Sequence, residues 1–563
     1  MAGKNKSGLR PGLLGVAAAV ILIVIVVGAV FVKKYSPSKE YMSGYEYFNV
    51  DAASDSALII IDGARYENTG INIDGKWYLP AGFVADNINI RFYNDAESGA
   101  VLYTDDKRTY EYKPGKNSYT DNENNEYKTD YPITMLVNAD MYISWEYVAG
   151  YTNCTYTYGS EPARICIYNI DGEEKFVTVN KDTYVRYRGG IKSDVLEKVS
   201  KGSRLYYVDD LEDWIKVTTD TGYTGYVKST HVGEAYADTK EDTYVENYTR
   251  VMYDKKIRLG WFQVGGTSGN SSAAGLAGLS SVNVISPTWY SITSAQGDVS
   301  CYAQASWVND MHARGISVWP LINDFNKDVD YKTLYSVRSN RKTLVDRLVN
   351  DAVSYGYDGI NLDFENVKKD YADDFLQFVR ELALECHKNN IILSTDNYKP
   401  EAYNKFYNLK EQSSYVDYVI VMAYDEHYVG SEAGSVASLP FVREAVSDTV
   451  ALVPSKQVIA GIPFYTRIWS ISGTSTTSRA VGMQDALDEL NADGKTAPWN
   501  EDAGQYVSSY EKNGVTQKTW YEEDKSIEAK LKVISEYDTA GIAAWKLGFE
   551  KASVWSVINR YIN

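Results

Sequence analysis

Three acidic side chains, Asp358, Asp363 and Glu365, lie in the stretch DGINLDFEN at 358–366, which is otherwise typical of a buried strand. Side chains alternate along a strand, so Asn361, Asp363 and Glu365 are expected on one face. Burying carboxylates is costly unless they are used or paired. The pattern therefore indicates acids that take part in chemistry, and an internal hydrogen-bonded network is the alternative.

The elements that would position these acids begin at about residue 255, where apolar runs alternate with amphipathic helical stretches. Parallel strands covered by helices produce this pattern. Eight such units predict an α/β TIM barrel, (β/α)8, with an insertion at about 470–535 before the last strand. The predicted strands begin at residues 257, 282, 316, 359, 391, 418, 458 and 541.

The predicted barrel gives the acidic strand a direction. Ile360, Leu362 and Phe364 would pack outward against helices, because they alternate with the polar residues. Asp363 and Glu365 would point into the barrel and approach its C-terminal mouth, where TIM barrels keep their active sites. The candidate site is therefore the mouth of this barrel.

DGINLDFE resembles the D-x-x-D-x-D-x-E motif of glycoside hydrolase family 18, which includes chitinases and N-acetylglucosaminidases. MAYD at 422–425 resembles the sixth-strand motif of that family, and Trp545 lies where the family keeps a tryptophan under the reacting sugar. The resemblance covers residues from about 250 to 563. The segments WNE at 499–501 and WYEEDKSIEAKL are similar to the subgroup associated with spore-cortex and peptidoglycan lysis.

This resemblance implies a retaining hydrolysis in which the N-acetyl oxygen of the substrate attacks the anomeric carbon. Glu365 would be the general acid and base, Asp363 would orient the acetamide, and Tyr424 would hydrogen-bond its carbonyl. The residues expected to bind the substrate are Trp261, Asn361, Met422, Asp425 and Trp545.

Asn361 departs from the family pattern, because chitinases of the family usually carry an acidic residue there. One negative charge is missing, which should change how Asp363 and Glu365 titrate. We hypothesise that the Asn361 amide holds a charged Asp363, which in turn helps to keep Glu365 protonated. Asparagine also occurs here in the peptidoglycan-acting subgroup, so it does not by itself imply loss of activity.

Other residues near strand ends are weaker candidates. Asp324, Asp396 and Arg467 are as consistent with structural roles as with binding, and His427 could lie at the edge of the cleft. Large aromatic residues could stack on sugars, but in barrels they more often belong to the core. These aromatic residues are Trp261, Trp289, Tyr290, Trp319, Tyr398, Tyr465 and Trp469.

The composition of this 563-residue chain limits the classes of partner that it is expected to bind. A net charge of −18 and the lack of a long Lys/Arg run after residue 40 argue against nucleic acid. The four cysteines form no CxxC pair and the histidines have no metal-ligand spacing, so neither a metal nor a cofactor is expected. Cys154 and Cys166 could pair across a hairpin or remain free buried thiols.

The uncharged run from Gly12 to Val32 is long enough to cross a membrane core of ~30 Å. A cleaved signal peptide is the alternative, but the run exceeds a usual signal h-region and lacks a small-x-small site before Lys33. We therefore expect residues 1–40 to form a cytoplasmic stub and a single-pass anchor, with all later domains extracytoplasmic.

Two small all-β domains are expected between this anchor and the barrel. Residues 41–170 contain short alternating strands, and DGKWYLPAGFV resembles copper amine oxidase N-terminal-like domains, without implying copper because no histidine precedes residue 231. In residues 171–240, Trp214 and GYV at 225–227 resemble the end of a bacterial SH3-like domain. The hydrolase-like barrel would take residues 250–563.

The sequence thus predicts a membrane-anchored glycoside hydrolase that cleaves β-1,4 bonds after N-acetylglucosamine in peptidoglycan or a chitin-like glycan. The alternative is a catalytically silent glycan-binding or wall-scaffold protein. Retention of Asp363, Glu365 and Tyr424 favours the enzyme, because a lectin needs no protonatable acid at the scissile bond. An unrelated TIM-barrel enzyme is disfavoured, because no phosphate loop, lysine nucleophile or metal set accompanies the barrel. The sequence does not indicate the oligomeric state.

Overall fold

The computed structural model describes residues 11–51, 56–168, 174–238 and 244–562. Contacts divide the chain into two compact units. The first unit comprises Met1–Asn89 and Tyr131–Val245, and the second comprises Ile90–Asp130 and Glu246–Asn563. The chain therefore enters the second unit, returns to the first, and only then continues into its C-terminal part.

The N-terminal helix, Pro11–Tyr35, contains the long apolar run. An 18-residue window within its segment Gly15–Tyr35 has a mean hydropathy of 3.1 and is not buried by the rest of the chain. Lys33 and Lys34 lie in its last turn. This length and composition fit a membrane span and also a signal sequence, so both alternatives remain open.

Within its described residues, the first unit contains two seven-stranded sheets. The first sheet, in spatial order, consists of Thr155–Gly159, Arg164–Tyr168, Ala57–Ile61, Ala64–Ile73, Lys76–Pro80, Asp140–Ser144 and Thr134–Val137. The second consists of Val195–Val199, Thr183–Arg186, Thr224–Lys228, Trp214–Thr218, Arg204–Leu211, Glu174–Thr178 and Tyr236–Asp238. The short helices are Gly44–Tyr47, Ala81–Asn87 and Trp145–Val148, and the 3-10 turns are Ala149–Tyr151 and Ser229–His231.

The two sheets share one hydrophobic core. Leu58 and Ile60 from the first sheet belong to the same buried cluster as Val177 and Val217 from the second. The segments predicted as separate domains, 41–170 and 171–240, are therefore joined by packing. Cys166 is a free, buried thiol in this cluster, so the alternative of a disulfide with Cys154 is not realised. The SH3-like resemblance stays a prediction.

Residues 90–130 differ from the prediction, which placed them inside the accessory domain 41–170. They form a five-stranded antiparallel sheet that belongs to the same unit as the barrel. Its strands, all in the described range 56–168, are Phe92–Asp95, Ala100–Thr104, Thr109–Tyr112, Ser118–Asp121 and Glu126–Lys128.

Buried ion pairs explain why this small sheet packs against the barrel helices. Arg341, on a barrel helix, is fully buried and donates to Asp95 of the sheet at 3.3 Å and to Glu381 at 3.0 and 3.1 Å. Arg91 donates to Glu411 at 3.0 Å. Charges buried in this way need their partners, so the sheet and the helices depend on each other.

The TIM barrel predicted from the apolar periodicity is confirmed. All residues of the sixth and seventh strands are buried, as expected for parallel strands covered on both faces. Within 244–562 the eight strands are Ile257–Phe262, Val284–Pro287, the two-part third strand Ser317–Val318 and Leu321–Asn323, Gly359–Asp363, Ile392–Tyr398, Tyr418–Met422, Val458–Pro463 and Gly541–Trp545.

The barrel closes where the eighth strand, Gly541–Trp545, pairs in parallel with the first, Ile257–Phe262. The third strand is interrupted at Trp319 and Pro320. Its first part pairs with the second strand and its second part with the fourth strand. Because proline has no N–H to donate, this position suits the break between the two ladders.

An antiparallel sheet separates the seventh and eighth strands, where the insertion was predicted. Its strands are Tyr465–Ser472, Ser475–Gly482, Trp499–Asn500, Gln505–Lys512 and Val515–Tyr521, with a helix at Met483–Ala492. A further antiparallel pair in the barrel, Tyr290–Ile292 and Val299–Cys301, follows the second strand. The barrel helices are Ala305–Ala313, Tyr331–Ser336, Arg338–Tyr355, Ala372–Lys388, Leu409–Tyr415, Leu439–Val450, Asp524–Ser535 and Val554–Tyr561, and the 3-10 turns of this unit are Thr267–Gly275, Ala277–Ser280, Lys369–Tyr371, Ala402–Tyr407 and Ser455–Gln457.

Arg341→Met tests the docking of the small sheet. We expect it to lower the free energy of unfolding of the second unit by about 3 kcal/mol or more, because Asp95 and Glu381 lose their buried partner. Arg347→Met, on the same helix, is the control: its exposed pair with Asp351, at 2.8 Å, should contribute less than about 1 kcal/mol. Scanning calorimetry measures both, and equal effects would contradict the docking role.

Candidate active site

The fourth strand places its polar residues inside the barrel. Asn361 and Asp363 are buried at 0% and 5% exposure, and Glu365 is half-buried at the mouth. Ile360 and Leu362 lie in the hydrophobic core on the other face. This is the alternation expected from the sequence.

A cleft of about 170 Å³ lies at the mouth of the barrel. It brings together every predicted catalytic or binding residue except Asn361, and adds three others: Phe325, Asp396 and Tyr398. The full lining is Trp261, Phe325, Asp363, Glu365, Asp396, Tyr398, Met422, Tyr424, Asp425 and Trp545.

Asn361 lies beneath the cleft, which corrects two expectations about it. Its side-chain oxygen accepts hydrogen bonds from Trp261 Nε1 at 2.9 Å and Ser286 Oγ at 3.1 Å. Its amide donates to Ser394 Oγ at 3.1 Å and to Asp396 Oδ1 at 2.8 Å. All of its hydrogen-bonding positions are therefore used inside the barrel. We had expected Asn361 to bind the substrate and its amide to hold Asp363. Instead, Asn361 does not line the cleft and its amide holds Asp396.

Asp363 is an acid in an unusually costly position. Burial raises its pKa well above the ordinary value, and the charges of Asp396, Glu365 and Asp324 raise it further. Its Oδ1 atom is buried and has no hydrogen-bond partner among the described residues. Burial and these neighbouring charges favour the protonated form of Asp363, and its unpartnered Oδ1 adds to this, which goes against the hypothesis that Asp363 remains charged.

Glu365 lies closer to solvent than Asp363 and accepts a hydrogen bond from a tyrosine. The Tyr398 hydroxyl donates to Glu365 Oε2. Burial raises the pKa of Glu365, the bond from Tyr398 acts against this rise, and the charge of Asp425 adds to it. A carboxyl group with a raised pKa that is reachable from a cleft is suited to general acid–base chemistry.

Asp396 and Tyr398 had been weak candidates, and the structure places both in the cleft. They follow Ser394 at two-residue spacing on the fifth strand, so alternation could have placed all three on the inner face. Burial raises the pKa of Asp396 well above its ordinary value, against the opposing effect of the bond from Asn361. The sequence gives no comparable signal for Phe325, whose side chain is 48% exposed.

The sixth and eighth strands supply the remaining wall of the cleft. Burial raises the pKa of Tyr424 well above its ordinary value, so its hydroxyl stays protonated and can donate. Tyr465 donates to Asp425 Oδ1 at 2.5 Å. The rings of Trp261 and Trp545 lie 5.9 Å apart, centroid to centroid, and form an aromatic wall.

Asp324 supports the end of the fourth strand from the end of the third strand. It is 1% exposed, and its carboxylate accepts the backbone N–H groups of Glu365 at 2.9 Å and Asn366 at 2.8 Å. Burial raises the pKa of Asp324 to about 6, although these bonds act against the rise.

Several aromatic candidates belong to the core. Trp289 and Trp319 are fully buried, and Trp289 donates to Asn270 Oδ1 at 2.8 Å. Trp469 donates to the Gly434 carbonyl at 2.8 Å. Tyr290 is also buried and shares a hydrogen bond with Tyr357. His427 contacts the Ser435 carbonyl at 2.9 Å through Nδ1 and is outside the cleft lining, as is Arg467, whose Nη2 lies 3.7 Å from Asp425.

Comparisons with known proteins agree with this geometry. Residues 228–550 match the family model described as glycosyl hydrolases family 18, and residues 60–167 match that of the copper amine oxidase N-terminal domain. The chain is 30% identical over 260 residues to the uncharacterized glycosylase YvbX of Bacillus subtilis (strain 168), which covers 44% of this chain and 75% of that protein.

Two further similarities concern spore proteins. Identity to the cortical fragment-lytic enzyme of Bacillus subtilis (strain 168) is 24% over 232 residues, or 40% of this chain and 54% of that enzyme. The crystal structure of the Bacillus cereus spore cortex-lytic enzyme SleL superposes with a TM-score of 0.50 at 17% identity, covering 60% of this chain and 79% of that one. At this identity the superposition shows the fold alone.

Asp363→Asn tests the cost of the buried acid. An acid whose pKa is raised by folding makes the folded state less stable as pH rises through that raised pKa. The substitution removes this loss, so we expect it to raise the Tm by about 2–4 °C or more at pH 8 and by much less at pH 5. Asp370→Asn, an exposed acid paired with Lys332, is the control and should show no such difference. A pH-independent effect of Asp363→Asn would refute the interpretation.

Proposed function

The chain belongs to glycoside hydrolase family 18, and on this basis we propose that it cleaves peptidoglycan at β-1,4 bonds after N-acetylglucosamine by a retaining, substrate-assisted mechanism. Glu365 protonates the glycosidic oxygen while the acetamide oxygen of the substrate attacks the anomeric carbon. Glu365 then activates the water that opens the resulting oxazolinium-like intermediate.

The observation that carries this proposal is the unsatisfied Oδ1 atom of Asp363 beside Glu365 in the cleft. An acetamide N–H is a donor of the kind that this atom lacks. Tyr424, whose hydroxyl stays protonated, can donate to the acetamide carbonyl from the sixth strand. Trp545 and Trp261 provide aromatic surface for the sugar ring.

Substrate binding would also move a proton to the correct acid. A hydrogen bond from the acetamide to Asp363 favours its charged form and lowers its pKa. The charged Asp363 then raises the pKa of Glu365, so the shared proton passes to Glu365. In this proposal the ligand-free site favours the proton on Asp363, and substrate binding transfers it to Glu365.

Two observations support peptidoglycan as the glycan. Relatives of this chain include enzymes named for the lysis of spore-cortex fragments. The apolar N-terminal helix would also hold the enzyme outside the membrane, next to the cell's own wall. A catalytically silent scaffold is disfavoured, because Asp363, Glu365 and Tyr424 all line the cleft.

Product analysis of Glu365→Gln tests the proposal. We expect the full-length protein in detergent to release fragments ending in reducing N-acetylglucosamine from purified peptidoglycan, detected by mass spectrometry. Glu365→Gln should lower the rate by about 10²–10⁴-fold, because glutamine cannot transfer the proton. Glu385→Gln, on the exposed side of a barrel helix, is the matched control and should keep full activity.

The substrate panel separates the alternatives. Chitin oligomers cleaved in preference to peptidoglycan would overturn the substrate assignment and leave the mechanism in place. Binding of either glycan without cleavage by the unsubstituted protein would establish the scaffold instead.

The apolar helix makes a prediction of its own. We expect the chain to stay in the membrane pellet after an alkaline carbonate wash and to retain its N-terminus, because a span buried in hydrocarbon is not released by high pH. Deletion of residues 1–35 should release an active soluble protein. An intact mass equal to that of a chain starting after Tyr35 would instead show that a signal peptide is cleaved.

A further inference from the structure

Asp324 is a buried acid to which the reaction outlined above assigns no role. Both of its carboxylate oxygens accept backbone donors from the residues at the top of the fourth strand: Oδ1 from Glu365 N at 2.9 Å and Oδ2 from Asn366 N at 2.8 Å. The Asn366 side chain adds bonds to the Asp324 carbonyl at 3.1 Å and to Oδ1 at 3.2 Å. Asp324 thus grips the backbone of the proposed acid while lying outside the cleft lining.

No described residue forms an ion pair with Asp324. The titratable groups around it are tyrosine hydroxyls from three separate elements and neighbouring carboxyl groups of the fourth strand. Tyr335, in the helix Tyr331–Ser336, has a buried hydroxyl without a hydrogen-bond partner in the described part of the chain. These groups are Tyr331, Tyr335, Tyr371, Tyr407, Asp363 and Glu365.

We propose that Asp324 is a positioning residue that holds Glu365 in the cleft only while its carboxylate is ionised, so that protonation of Asp324 loosens the acid and reversibly reduces activity. The inference rests on the proposed role of Glu365. An ionised carboxylate offers acceptors to both N–H groups. Protonation turns one oxygen into an O–H donor, so at least one of the two N–H bonds weakens.

The burial of Asp324 places its protonation at a mildly acidic pH. Because burial raises the pKa of Asp324 to about 6, the carboxylate is largely ionised above that pH and largely protonated well below it. The catalytic strand would therefore be held firmly at neutral pH and released in mild acid. This differs from titration of Glu365 itself, because it moves the backbone of the acid rather than its proton.

Hydrogen–deuterium exchange tests the grip without any substrate. After correction for the intrinsic pH dependence, the amides of Glu365 and Asn366 should exchange about tenfold faster at pH 5 than at pH 7.5 in the unsubstituted protein. Asp324→Asn should exchange fast at both values, because the asparagine NH₂ group faces one N–H donor. Equally slow exchange in Asp324→Asn would overturn the proposal.

Two controls separate positioning from a general loss of stability. Tyr371→Phe removes the hydroxyl bond to the Asn366 carbonyl, at 2.7 Å, but no acceptor for either amide, so the pH dependence of exchange should remain. The fifth strand, Ile392–Tyr398, is the internal reference. Faster exchange there in Asp324→Asn, to the same degree, would mean that the barrel is destabilised as a whole and would refute a specific grip.

Kinetics then connect the grip to catalysis. Asp324→Asn should lower kcat by about tenfold or more with KM changed less than about twofold, because a displaced acid affects the reaction and not binding. The acid limb of its pH–activity profile should also lose one titrating group, whereas the profile of Tyr371→Phe should keep that group. An unaltered limb would refute the switch. If the exchange results hold while the unsubstituted protein cleaves no glycan, the grip stands and the proposed function fails.

Discussion

Four carboxyl groups share the buried mouth of the barrel, none of them in an ion pair with a lysine, arginine or histidine of the described residues, and the rest of the site follows from this constraint. Asp324, Asp363 and Asp396 are nearly fully buried, and Glu365 is half-buried beside them. Neutral donors carry the compensation: backbone N–H groups for Asp324, and the Asn361 amide for Asp396. Because such donors compensate charge only in part, burial raises the pKa of all four acids. Burial therefore favours the protonated form of each of these acids over its charged form.

Buried acids with structural roles in the same unit have the opposite environment, because arginines pair with them. Burial acts to raise the pKa of Glu411, but Arg380 and Arg91 outweigh it and lower that pKa below its ordinary value. Arg341 likewise pairs with Glu381 at 3.0 Å. A buried acid held by arginines is fixed in its charged form and can only support the fold, whereas an unpaired one is free to change its charge. The contrast separates the acids that dock the small sheet from those at the mouth of the barrel.

Local periodicity explains how much of this could be predicted from the sequence. The eight barrel strands and the inward face of Asp363 and Glu365 depend on apolar runs and on alternation, which are visible within a few residues. The docking of residues 90–130 depends on ion pairs between residues hundreds of positions apart, so no local pattern indicates it. The predicted partner of Asn361 was wrong for a related reason: the spacing puts Asn361 on the same face as Asp363, but its amide donates to Asp396 on the neighbouring fifth strand.

The neutral side chain of Asn361 can be understood from the charges around it. A carboxyl group in its place would lie 2.8 Å from Asp396 with no donor between them, so it could exist only by sharing a proton. That extra charge would raise the pKa values of Asp396 and Asp363 further and tie another proton to the floor of the barrel. Asparagine instead gives Asp396 a permanent donor, which needs no proton and does not depend on pH. The gain and loss of protons in the site are thereby confined to the acids nearest the cleft, which include Glu365.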